Sequence, residues 1–75
     1  MIAKKIRKEA LRYKVDADDL ADAVSALQYQ ELGMEWNAKE YKDKIKDESI
    51  ELWAAAKRCV DFIKRQEKKD GINRY

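Results

Sequence analysis

The sequence predicts an all-α protein, an antiparallel hairpin of two long helices, and three observations carry that expectation. The first is a lack of breakers: the chain has no proline and only two glycines, Gly33 and Gly71. The second is periodicity. Ile6, Ala10, Tyr13, Ala17, Leu20, Val24 and Leu27 follow at gaps of 4, 3, 4, 3, 4 and 3. Ile45, Ser49, Leu52, Ala56, Cys59 and Ile63 repeat the device at gaps of 4, 3, 4, 3 and 4. Such spacing keeps a narrow apolar stripe on one side of a helix, the mark of a coiled-coil seam. The third is the stretch "QYQELGMEWNAKEY" between the two stripes, which holds a helix stop and a helix start within a few residues.

The elements follow in order. A first helix over 2–32 carries the first stripe, about 45 Å long at a rise of about 1.5 Å per residue. Gly33 supplies the left-handed residue that closes a Schellman cap, with Tyr29 and Met34 across it. Residues 33–37 form the turn. Asn37 is the expected N-cap of the second helix, Glu40 completes a capping box, and Trp36 and Tyr41 occupy the positions of a hydrophobic staple. The second helix spans 38–70, and Gly71 ends it, leaving 71–75 as a tail. All of 1–75 is one domain. Asp16, standing before Ala17, Asp18, Asp19 and Leu20, also has the form of an N-cap, so the first helix is continuous or kinked near residues 15–17, and a full break there, giving a three-helix bundle, is the alternative. The stripe keeps its phase from Tyr13 to Ala17, which favours a continuous helix.

Two narrow stripes leave apolar surface over. Trp53 and Val60 widen the second stripe, and Leu11, Leu32, Ile50 and Phe62 lie off it. A second copy of the hairpin, in a twofold four-helix bundle, is the simplest cover, so a homodimer is expected.

Charge is sorted along the chain. Residues 1–14 carry net +5, residues 15–51 net −7 and residues 52–75 net +4, within an overall +2. Folding at Gly33 gathers both basic stretches at one end.

The residue inventory restricts the chemistry. There is no histidine and Cys59 is the sole cysteine. Histidine-based triads, the usual zinc sites and an internal disulfide are thereby excluded, and a reducing, cytoplasmic setting is expected. Cys59 sits on a stripe, where a thiol is a small inert apolar group even with Arg58 adjacent. Ser49 has no base to activate it. Asp47, Glu48, Glu51 and Asp61 are too few for a helical magnesium site. No catalytic residue, cofactor or metal ligand is expected. The basic start "MIAKKIRK" is followed by no apolar run of leader or membrane-spanning length, and Ile2, Ile6, Ala10 and Leu11 make too small a face to hold a membrane.

The expected function is therefore a small non-enzymatic interaction or accessory protein acting through helical surfaces on another protein. Its interface candidates are Trp36, Tyr41, Trp53 and Phe62, since large aromatic side chains dominate binding energy. The alternative is a nucleic-acid-binding accessory protein. Its phosphate contacts would be Lys4, Lys5, Arg7, Lys8, Arg12, Arg58, Arg65 and Arg74, with Tyr13, Phe62 and Tyr75 stacking on bases.

Overall fold

A computed structural model describes the backbone of residues 2–73 and the side chains of residues 3–66. It holds four helices: α1 (Ile2–Tyr13), α2 (Ala17–Glu31), α3 (Glu35–Lys44) and α4 (Ile50–Asn73). They form a single-chain four-helix bundle, with α2 packed against each of the other three and α1 also against α4.

The long first helix is broken. Lys14 adopts a left-handed backbone (φ 57°), the Val15 N–H donates to the Ala10 carbonyl at 3.0 Å, and the Lys14 N–H to that of Leu11 at 3.4 Å. These are the two bonds of a Schellman motif. Asp16 then caps α2, its Oδ1 accepting from the Asp18 N–H at 3.0 Å. The same motif recurs at the end of α2: Gly33 has φ 77°, Met34 N–H reaches the Tyr29 carbonyl at 2.9 Å and Gly33 N–H that of Gln30 at 3.1 Å. One left-handed position is thus a glycine and the other a lysine.

That contrast yields a prediction. A Cβ added at Gly33 would meet nothing within 4 Å, so Gly33→Ala should cost only the conformational term, about 1 kcal/mol. Lys14→Gly should gain up to about 1 kcal/mol by relieving the same strain. Urea melts of both variants check the pair of opposite signs.

The second expected helix is broken too. α3 begins at Glu35 with Met34 as its N-cap and no side-chain cap bond. Asn37 therefore lies inside α3, and the Asn37–Glu40 capping box does not form. Nor does the Trp36–Tyr41 staple: Tyr41 stacks on Tyr29 with ring centroids 5.5 Å apart. At Ile45 the backbone turns extended, and the connection to α4 is held from outside. Asp19 of α2, only 4% exposed, accepts the Lys46 N–H at 3.1 Å and the Asp47 N–H at 3.2 Å. Ser49 starts α4, its Oγ accepting from the Leu52 N–H at 3.2 Å. A short polar residue at this point satisfies an orphan helix donor, which accounts for a serine on an apolar stripe.

The directions follow from the contacts. Glu9 meets Arg58 and Lys5 lies over Phe62, so α1 runs antiparallel to α4. Asp19 meets the approach to α4 and Glu31 meets Lys64, so α2 and α4 run the same way. Ala10, Leu20, Ala23, Val24, Leu52, Ala55, Ala56, Cys59 and Val60 form the core, with Ile6, Tyr13, Ala17, Leu27, Ile45, Trp53 and Ile63 packed at its margin. Alanines at the centre let the helices approach closely.

The hairpin of two long helices is therefore corrected, as are the three-helix alternative and the coiled coil. The expected homodimer is corrected with them, because four helices of one chain supply the bundle that two hairpins were to make. α1 folds back onto α4 and takes Phe62 beneath Lys5, Val60 is buried and Trp53 packs at the margin of a core that closes within one chain, while Leu11, Leu32 and Ile50 stay exposed. α4 runs on through Gly71 to Asn73. The expected tail at 71–75 lies beyond the described side chains, and Arg74 and Tyr75 lie outside the described residues altogether.

Candidate functional site

α2 touches α3 and α4, but α3 and α4 do not pack on each other. The space between them is a groove of about 680 Å³ with α2 as its floor. Leu27 and Glu31 line it from α2, Lys42 from α3, and Trp53, Val60 and Lys64 from α4. Trp53 is the aromatic side chain of its lining and is held at two points. Its indole N–H donates to Glu48 Oε1 at 2.9 Å, and the Lys42 ammonium lies 5.7 Å from the ring centroid. Lys64 pairs with Glu31, and that hydrogen bond, made in open solvent, raises the lysine pKa.

At the corner joining α2 to α3 a second feature adjoins the groove. Leu32 is 71% exposed, Met34 44% and Trp36 75%, all within five consecutive residues. Scattered exposed leucines are ordinary, but three exposed large apolar side chains within one short turn of chain concentrate apolar surface at this corner. The reason is local. Leu32 and Met34 flank the left-handed Gly33 between the helices, and Trp36 stands two residues before the buried Ala38, on the other side of α3. Leu32 also lines a smaller depression with Val60 and Ile63, which shares Glu31, Val60 and Lys64 with the main groove.

The four interface candidates are not gathered in one place. Trp36 lies on the exposed corner and Trp53 in the groove wall. Tyr41 is half-buried against Tyr29. Phe62 is half-buried toward α1, with the Lys5 ammonium 5.3 Å from its ring centroid.

Among the basic candidates, two groups stand out. Lys5, Arg12 and Arg58 converge on Glu9, whose side chain is only 1% exposed, at 3.1, 4.0 and 3.3 Å. Burial pushes the Glu9 pKa up, but hydrogen bonds and charges from Lys5 and Arg58 outweigh it and hold the carboxyl below its ordinary value. The second group, Lys4, Arg7 and Lys8, is exposed on the outer face of α1. Arg65 lines a shallow depression with Lys5, Arg58, Asp61 and Phe62.

Cys59 is fully buried in the core. Burial, then the neighbouring Glu9 charge, raises its pKa against the pull of Lys5 and Arg58. The thiol is protonated at neutral pH and unsuited to nucleophilic attack. Among the described residues no three histidine, cysteine or acidic side chains come together to hold a metal ion. No helix among them is long and apolar enough to cross a membrane.

Fold and surface together define a class: a small helical bundle with a closed core, a lateral groove and an apolar corner. Comparison with protein families, curated proteins and solved structures returned no match.

Proposed function

We propose that this is a non-enzymatic interaction protein that docks a partner protein on the corner of Leu32, Met34 and Trp36, with the adjoining groove extending the contact. The observation that carries this reading is the exposure of those three side chains on a chain whose core is already closed. The bundle gains nothing in its own packing from keeping a tryptophan in water. Bound to a partner, the same side chain removes a large apolar area from solvent and becomes the anchor of an interface. Trp53 and Val60 continue the apolar surface along the groove, while Lys42, Glu48 and Lys64 supply a polar rim.

Affinity capture from the native host, comparing the wild-type chain with Trp36→Ala, tests the proposal. Because Trp36 is exposed, the variant should keep its stability within about 0.5 kcal/mol. It should lose the specific partner by roughly 30-fold in affinity, the effect of removing a hot spot worth about 2 kcal/mol. A partner retained equally by Trp36→Ala and by Leu32→Ala would contradict the assignment.

A further inference from the structure

We infer that the outer face of α1 binds duplex DNA through its phosphate backbone, an activity separate from partner docking at the corner. Lys4, Arg7, Lys8 and Leu11 stand at i, i+3, i+4 and i+7, which puts them on one face of the helix. All four are exposed, and Arg12 continues the row one turn beyond Lys8. The only acid in α1, Glu9, faces inward and is buried. It neutralises cations at the seam with α4 and leaves the outer face of α1 with cations and Leu11 but no acid. Antiparallel packing then extends that face sideways, because Arg58 and Arg65 of α4 lie along the same seam beside Lys5, three cations against the single acid Asp61 that lines the same depression.

Three features favour a duplex over other anionic partners. A protein interface is depleted in lysine at its centre and anchored by aromatic groups, whereas this face offers Leu11 alone among cations. Single-strand binding relies on aromatic side chains that stack on bases. Tyr13 and Phe62, the described aromatic candidates here, are both half-buried, Tyr13 against the core and Phe62 beneath Lys5. What remains is a rigid helix bearing a row of cations, which matches the closely spaced charge of duplex phosphates, and an α-helix fits the major groove of B-DNA. The contacts are to phosphate, so the binding is tolerant of sequence.

Fluorescence anisotropy of a labelled 20-base-pair DNA duplex, titrated with the full chain across a salt series, tests the inference. Four to five phosphate contacts give a log–log salt slope of about −4, so affinity should fall roughly two hundred-fold between 50 and 200 mM salt. The triple variant Lys4→Ala, Arg7→Ala, Lys8→Ala should keep its helical circular dichroism and reduce the slope by about 3. Trp36→Ala should bind the duplex as wild type does, which keeps this test independent of the partner proposal. The inference is overturned by absent duplex binding at 50 mM salt, by an unchanged slope in the triple variant, or by tighter binding to a single strand of equal length. Binding to anionic phosphatidylserine vesicles in preference to the duplex would also overturn it.

Discussion

Leu20→Ala should destabilise the bundle by about 3 kcal/mol, the middle of the range for truncating a fully buried leucine. Leu20 is 0% exposed and belongs to α2, the one helix that touches all the others. A cavity there cannot be closed by moving a single neighbour. A chain of this length has a total stability of roughly 4 to 11 kcal/mol at the usual contribution per residue, and so small a core sits toward the lower end. The variant should therefore show a much earlier urea midpoint and, if the total is near the lower limit, a measurable unfolded fraction without denaturant. Leu11→Ala is the control. Leu11 is 82% exposed, and its truncation should change stability by no more than about 0.5 kcal/mol. Equal losses for the two leucines would contradict the placement of the core.

Glu9→Ala is expected to cost about 3 kcal/mol, the lower part of the range for removing one member of a buried ion pair. The lower part applies because the cations left behind are not deeply buried. The side chains of Lys5, Arg58 and Arg12 are 23, 47 and 65% exposed and can rehydrate. Glu9→Gln separates charge from packing. The folded-state pKa of Glu9 lies below its ordinary value of 4.5, so folding favours the ionised form. Its contribution is full above the ordinary carboxylate range and is lost as pH falls through the depressed folded value. The gap in melting temperature between wild type and Glu9→Gln should thus be widest near neutral pH and close as the solution is acidified below pH 4.5. A gap that persists unchanged into strong acid would show that the carboxylate charge contributes nothing.

Much of the core was legible in the sequence, while the path of the chain through it was not. Ala10, Leu20, Val24, Leu52, Ala56 and Cys59 stand on the periodic stripes and are all buried. The stripes nonetheless straddle two breaks. Tyr13 and Ala17 flank the loop between α1 and α2, and Ile45 and Ser49 are the first and last residues of the loop between α3 and α4. A gap of four is satisfied equally by one helical turn, by the loop of residues 14–16 and by the span of the loop of residues 45–49, so phase alone could not tell them apart. Asp16 did mark the first break as a capping residue. Its partner signal, a left-handed residue just before it, was hidden because the position holds Lys14 instead of glycine.

The ties that fix the arrangement were less visible still. Asp19 bonds backbone groups 27 and 28 residues away, and Glu9 joins Arg58 across the bundle. In the sequence both resemble ordinary surface acids, since nothing local identifies a carboxylate whose partners arrive from another helix. The aromatic candidates fared unevenly for the same reason. Trp36 lies on the open corner, but the stacking of Tyr41 on Tyr29 and the cover of Lys5 over Phe62 depend on long-range packing.

The breaks are the foundation of the fold: without them α1 cannot reach α4, and α2 cannot serve as the common neighbour of three helices. Backbone Cα chemical shifts of the isotopically labelled chain report helix residue by residue and test this most directly. Helical shifts should be interrupted at Lys14–Asp16, again at Leu32–Met34 and a third time at Ile45–Ser49, with regular helix between. An unbroken helical run from residue 2 to residue 32 would contradict the four-helix bundle.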